Sequence, residues 1–301
     1  MTDRVLEIAD RPARLRLEYD NIVVEGEEGE LGRVPLRDLA AVILAHPRLA
    51  VTHAVLEGLA RCNVSLIVCD ARRMPAGMLM PLQAHFLQAE RFRMQAAMSQ
   101  PQRKRLWKQV VRAKVVAQAQ LVESVTGDSR GLKALAQKVR SGDPANVEAR
   151  AAITYWRALM PGARFRRDPD AGGLNAVLNY GYAVVRAGVA RAIVGAGLHP
   201  SVGLHHHNRY NAFCLADDLM EPYRPLVDAI AVRLRESGWA QDELGPEQRR
   251  MILEALSGGY RGAEETRTLS DWFARMAFSL VKVLEHERED LDLPALPPRV
   301  G

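Results

Sequence analysis

The pattern of apolar and polar positions changes character once along the chain, near residue 80. Before it the runs are short. RLRLEYDNIVVEG (14–26) alternates apolar and polar residues about a turn at Asp20-Asn21, which predicts a β-hairpin. AAVILAH (40–46) and NVSLIVCD (63–70) are short apolar runs with β-branched residues and predict buried strands. Between them, VTHAVLEGLARC (51–62) places Val51, Val55, Leu56 and Leu59 at helical spacing. RMPAGMLMP (73–81) closes the region, with prolines at 75 and 81.

After Pro81 the apolar positions follow the helical period over long segments. Helices are expected near 83–98, 102–126, 144–159, 173–195, 212–235, 246–257 and 262–286. Pro101, Pro144, Pro161, Gly195 and Gly197 punctuate them, and Pro222 with Pro225 kinks or splits the 212–235 segment. The expected class is α+β: a small β-rich N-terminal domain (1–80), a larger all-α domain (81–290) and a proline-rich tail (291–301).

Composition narrows the class only a little. At 301 residues with 48% apolar side chains, the chain is long enough for two domains and a real core. The net charge of +5 is compatible with a nucleic-acid partner without requiring one. Three cysteines, Cys62, Cys69 and Cys214, form no CxxC pair, which argues against a disulfide framework or a zinc ribbon and fits a reducing cytoplasm. Asp3, Arg4 and Glu7 interrupt any signal-like apolar start, and no uncharged apolar run approaches membrane-spanning length. A cytoplasmic protein without a membrane partner is expected.

The candidate chemistry gathers in GLHHHNRYNAFCLADDLMEPYRP (203–225). With Asp217 taken as 0° on a helix, Asp218 falls at about 100° and Glu221 at about 40°; Arg224 follows at about −20° if the helix survives Pro222. Converging carboxylates are costly unless a cation neutralises them. A solvated acidic face with a Glu221–Arg224 contact is the alternative. Three consecutive histidines, 205 to 207, cannot all point at one ion, because they alternate on a strand and fan out on a helix. At most two face any one point. Upstream, Asp143 or Asn146 can cap a helix in which Pro144 suits the first turn and Glu148 shares a face with Ala152 and Tyr155. By itself Glu148 also reads as an ordinary first-turn glutamate favoured by the helix dipole.

Basic residues cluster in QRKRLWKQVVRAK (102–114) and in RFRR (164–167), where Arg164, Arg166 and Arg167 adjoin the motif region and are candidates to neutralise phosphates. Tyr180 in LNYGY is either an active-site positioning group or a core tyrosine with one hydrogen bond. No GxxxxGK[ST] occurs, so ATP dependence is not suggested. The single GxSxG match, GDSRG (127–131), follows a helical segment instead of a strand, and Ser129 reads as a polar loop residue.

Four blocks in order resemble the CRISPR-associated integrase/endonuclease family of spacer acquisition, in the branch that accompanies type II systems. They are RLWKQVVRAKVVAQAQLV (105–122), GDPANVEARAAITYWRALM (142–160), LNAVLNYGYAVVRAGVARAIVGAGLHPSVGLHHHN (174–208) and FCLADDLMEPYRPLVD (213–228). The resemblance implies a metal site of one glutamate, one histidine and one acidic residue. The E-small-x-A-A-x-x-Y block puts the glutamate at Glu148. The family histidine lies three residues after the glycine of a G-apolar-x-H segment, which from Gly203 is His206, with His205 as the rival. The acidic helix puts the third ligand at Glu221 and an auxiliary carboxylate at Asp218.

Oxygen-rich ligation with one imidazole favours Mg²⁺ or Mn²⁺ over zinc. The implied activity is metal-dependent DNA endonuclease and integrase chemistry: 3′-hydroxyl attack on phosphodiesters that inserts short foreign DNA fragments, the spacers, into a CRISPR array. The implied partners are double-stranded DNA, for which Arg164, Arg166, Arg167 and Tyr180 are candidate contacts, a second copy of the chain joined through the N-terminal domain, and a small ferredoxin-like CRISPR-associated adaptation protein in a heterohexamer-type complex. The residues alone leave open a helical metal-dependent phosphohydrolase or a non-catalytic DNA-binding scaffold.

Overall fold

The computed structural model describes residues 4–161, 165–168, 170–261 and 265–294. Two four-stranded sheets form the N-terminal part. The first has the order β1 (Arg4–Ile8), β5 (Leu39–Leu44), β7 (Ser65–Cys69), β8 (Pro75–Leu79); the first three strands run parallel and β8 is antiparallel to β7. The second has the order β4 (Gly29–Pro35), β3 (Asn21–Gly26), β2 (Ala13–Glu18), β6 (Leu49–Val51). The β2–β3 turn is Tyr19-Asp20, one residue before the expected position. Both residues adopt positive φ (48° and 58°), as a two-residue hairpin demands, and Glu18 pairs with Asn21. Proline-bounded 73–81 supplies strand β8, which the sequence pattern did not predict; it sits at a sheet edge, where the missing proline N–H is harmless.

Strand alternation gives the first sheet two buried faces. Ile8, Leu39, Val42 and Leu66 join a core with α1 (His53–Arg61) and the second sheet. Ala41, Ile43 and Ile67 face the other way and join the core of the helical part. The β-rich and helical regions therefore share a continuous apolar boundary.

The helical part contains α2 (Gln88–Ala96), α3 (Gln100–Thr126), α4 (Leu132–Gln137), α5 (Val147–Leu159), α6 (Leu174–Gly195), α7 (Cys214–Met220), α8 (Arg224–Glu236), α9 (Pro246–Ser257) and α10 (Leu269–Leu284). The segment expected at 212–235 is split by a 3-10 turn at Glu221–Tyr223, where Pro222 lacks the N–H that a continuous helix would use. Helix α2 starts five residues later than expected, because the Gln88 side-chain amide binds Leu82 O and Ala84 N and holds the chain in a turn. Helix α10 starts at Leu269, capped by Thr268, and follows a ribbon of β9 (Gly259–Arg261) and β10 (Thr266–Thr268). The six-residue α4 was not anticipated. Helix α6 is apolar around most of its circumference and packs against α7, α8, α9 and α10 and strands β7 and β8. Among the described residues, no helix is long and apolar enough to cross a membrane. The end of the expected tail, 295–301, lies outside the described residues.

Candidate active site

The histidine loop is held by one carboxylate. Asp218, on α7, is fully buried and accepts backbone N–H bonds from Leu204 (2.6 Å), His205 (2.9 Å) and His206 (3.2 Å). Its Oδ1 also lies 2.6 Å from His206 Nδ1. A carboxylate accepts, so the imidazole donates Nδ1–H and presents Nε2 to the outside. The Asp218 hydrogen bond raises the His206 pKa above its ordinary value, against the effect of burial. Gly203 makes this approach possible: a Cβ there would lie 2.3 Å from His206 O and 2.8 Å from Asp218 Oδ2.

The three histidines have three different surroundings. The His205 ring lies flat on Trp107 of α3, with centroids 4.4 Å apart and planes 3° apart. His207 is exposed, and its Nδ1 is 2.7 Å from His205 O. Only His206 has a ring nitrogen against the acidic helix. From the other side, Arg103 binds Met98 O, Gln95 O and Gly203 O, and buried Gln95 binds His199 and Val202, so α2 and α3 brace the loop.

Glu148 and Glu221 meet on one cation. Asp143 caps α5 through Val147 N and Glu148 N, both at 2.9 Å, and so fixes Glu148 in the first turn. Glu221 begins the 3-10 turn. Lys114 of α3, which packs between them, brings Nζ to 2.6 Å from Glu148 Oε1 and 2.6 Å from Glu221 Oε2. Arg224 Nε is 2.9 Å from Glu221 Oε1. Burial would raise the Glu221 carboxyl, yet Lys114 and Arg224 together outweigh it and hold it below the usual glutamate value. Burial lowers the Lys114 ammonium, and the two carboxylates outweigh that and raise it.

Lys114 reads in the sequence as one of a phosphate-neutralising cluster, but it sits on the inward face of α3. The available signal was its spacing: Val110, Val111, Ala117 and Gln118, three and four residues away, are all buried. A lysine in that stripe needs an internal anion.

The other candidates divide. Asp217 pairs with Arg186 at 2.7 Å. Arg166 is exposed, Arg167 binds Asn175 Oδ1 (3.1 Å) and Asn179 Oδ1 (2.5 Å), and Arg164 lies outside the described residues. Tyr180 is a correction to its reading as a DNA contact: it is fully buried and its hydroxyl donates to Glu7 Oε1 at 2.8 Å, leaving no face for a nucleic acid. His206 opens onto a cleft of about 1340 Å³ whose wall mixes arginines, among them Arg72 and Arg73 of the β7–β8 turn and Arg167, with acidic residues such as Asp70, Asp217 and Asp242.

Among the described residues, no three His, Cys, Asp or Glu side chains are gathered tightly enough to hold a metal as they stand. The donor chemistry nevertheless fits a hard divalent ion. Two carboxylates from different elements already share a cation, and a neighbouring imidazole has its Nδ1 committed and Nε2 exposed.

Comparison with known proteins places this geometry in a family. The profile described as "CRISPR associated protein Cas1" matches residues 6–255. The "CRISPR-associated endonuclease Cas1" of Neisseria meningitidis is 37% identical over 245 residues, which is 81% of this chain and 80% of that one. The fold is shared with a "Casposase bound to integration product", at a TM-score of 0.77 and 20% identity, covering 99% of this chain and 96% of that one. It is shared too with a longer chain of a "Cas6-RT-Cas1–Cas2 complex" (TM-score 0.76, 19% identity), of which this protein covers 35% while 96% of its own length is matched. With a family profile spanning most of its length and a relative this similar, the chain belongs to the CRISPR-associated protein Cas1 family.

Proposed function

We propose that this protein is a metal-dependent DNA endonuclease and integrase that inserts short DNA fragments into a CRISPR array. The observation that carries the reading is the meeting of Glu148 and Glu221 on one cation, near a His206 whose Nδ1 is fixed by Asp218 and which itself opens onto a cleft. Glu148, His206 and Glu221 would hold Mg²⁺ or Mn²⁺. The bound ion would supply Lewis-acid polarisation of the scissile phosphate and stabilise charge developing on its oxygens.

The chain's own groups do the rest. Asp218 keeps the imidazole in one tautomer and orientation. Arg72, Arg73 and Arg167 suit a phosphodiester backbone and read no bases. Attack of a DNA 3′-hydroxyl on phosphorus forms one P–O bond and releases the 3′-oxygen of the target strand. Water in place of the hydroxyl gives hydrolysis.

The name of the Neisseria relative, an endonuclease, supports the reaction class. The shared fold with a chain of a Cas6-RT-Cas1–Cas2 complex supports assembly with a Cas2 partner, for which the sequence resemblance implies a small protein of ferredoxin-like fold. A homodimer through residues 1–80 is part of the same reading, since β4 and β6 leave open edges on the second sheet.

Strand transfer of labelled duplex DNA, with and without Mn²⁺ and the small partner, tests it. Glu148→Ala and His206→Ala are each expected to lower the metal-dependent product by at least about 10²-fold, the scale of losing a positioned transition-state contact. Product unchanged in both variants would reject the site. Turnover of small nucleotides without DNA affinity would favour a phosphohydrolase, and DNA binding with no metal-dependent chemistry would favour a scaffold.

A further inference from the structure

We propose that Lys114 is the resting counter-cation of the Glu148–Glu221 pair, and that a divalent ion binds there by expelling its ammonium. The inference rests on the metal-site reading above. Its geometry is direct: one Nζ lies 2.6 Å from a carboxylate oxygen of each residue. Those oxygens belong to different elements, α5 and the 3-10 turn, and α3 is the element packed against both.

Among the four side chains in direct contact the charges at rest are balanced. Glu148 and Glu221 carry two negative charges; Lys114 and Arg224 carry two positive ones. A divalent ion added to that set leaves a double positive excess where the Glu221 side chain is only 6% exposed. Such an excess is costly in a poorly solvated site. Departure of the ammonium removes half of it. The remaining positive charge is one that a phosphodiester anion neutralises.

Two consequences follow from this exchange. Metal affinity is set by competition with a tethered cation, whose four-carbon stem can rotate away without moving the backbone. Metal and DNA also assist each other, because each relieves the charge the other leaves, and that coupling is reciprocal. In this account Lys114 is a positioning residue at rest: it keeps two carboxylates together before either metal or DNA arrives. Arg224 cannot replace it, since its contact is with Glu221 alone among the two carboxylates.

The test uses full-length, EDTA-treated protein and Mn²⁺ as the probe, with free Mn²⁺ read by electron paramagnetic resonance. Lys114→Met is expected to bind Mn²⁺ at least tenfold more tightly than wild type. Equal or weaker binding overturns the proposal. Glu148→Gln, in both backgrounds, separates the two levels of the reading. If it leaves Mn²⁺ binding unchanged, the metal site is wrong and the exchange with it. If it weakens binding while Lys114→Met does not strengthen it, the site stands and the exchange is rejected. A second measurement needs no variant: acetylation of Lys114 in wild type, mapped by mass spectrometry against exposed Lys138. Mn²⁺ is expected to raise its relative labelling severalfold. Labelling unmoved by saturating Mn²⁺ overturns the proposal equally.

Discussion

Asp228 of α8 is buried and accepts hydroxyl hydrogens from Tyr155 (2.5 Å) and Tyr182. Burial pushes its carboxyl up to about 6, partly offset by those two hydrogen bonds. A carboxyl raised in the folded state binds its proton more tightly there than in the unfolded chain. Its contribution therefore favours folding below about pH 4 and is lost as pH rises through about 6. At 1.36 kcal/mol per pH unit, the loss is roughly 3 kcal/mol by pH 7. Urea unfolding from pH 4 to 7 is expected to show wild type losing roughly that much relative to Asp228→Asn; parallel curves would reject it. At this scale the family resemblance supplied what residue types alone left open, the register that sets Asp218 twelve residues after His206. The sequence misled where one residue type has two uses. Lys114 and Arg103 look like phosphate contacts until the helix face that buries them is known, and Tyr180 looks available until Glu7 is found beside it.

Helix positions followed from apolar periodicity, while helix ends followed from side chains that periodicity does not weigh. Gln88 delays α2, Asp143 caps α5 from four residues before Val147, and Thr268 starts α10. Packing between helices depends on pairs distant in sequence. Helices α6 and α8 cross at Gly181, where a Cβ would lie 2.4 Å from Val227 Cγ1. Gly181→Ala is expected to cost about 1–3 kcal/mol by overpacking. In a Val227→Ala background most of that cost should vanish, because the clash is with that branched side chain. A double-mutant cycle by chemical denaturation measures the coupling, and purely additive costs would count against this contact.

For the molecule as a whole, the first β-sheet is the joint between two regions. Its helix-facing side carries Glu7, which accepts from Tyr180 of α6 at 2.8 Å and from Arg249 Nε of α9 at 3.0 Å. Arg249 is 1% exposed, so its charge depends on that partner. Removing one member of a buried pair strands the other. Glu7→Ala is expected to lower global stability by about 3 kcal/mol, and calorimetry should show the single transition broadening or splitting as the two regions uncouple. A sharp, unshifted transition would mean that the apolar boundary alone joins them. The β7–β8 turn adds Arg72 and Arg73 from the β-rich region to a cleft whose other walls come from helices and loops of the helical region, so the joint also shapes the candidate site.

The sequence by itself determined the order of strands then helices, the break at Pro222 and the placing of a histidine-bearing loop just before an acidic helix. Each of these is set by periodicity, backbone chemistry or short spacing, which are local properties of the chain. Tertiary structure decided which histidine lies flat on Trp107 and that Glu148 and Glu221 share the ammonium of Lys114. Those outcomes join residues up to 107 positions apart, and their energies depend on burial and on charges brought in by other elements. No local pattern carries that information, because the cost of a buried charge exists only once the surrounding helices have excluded the water.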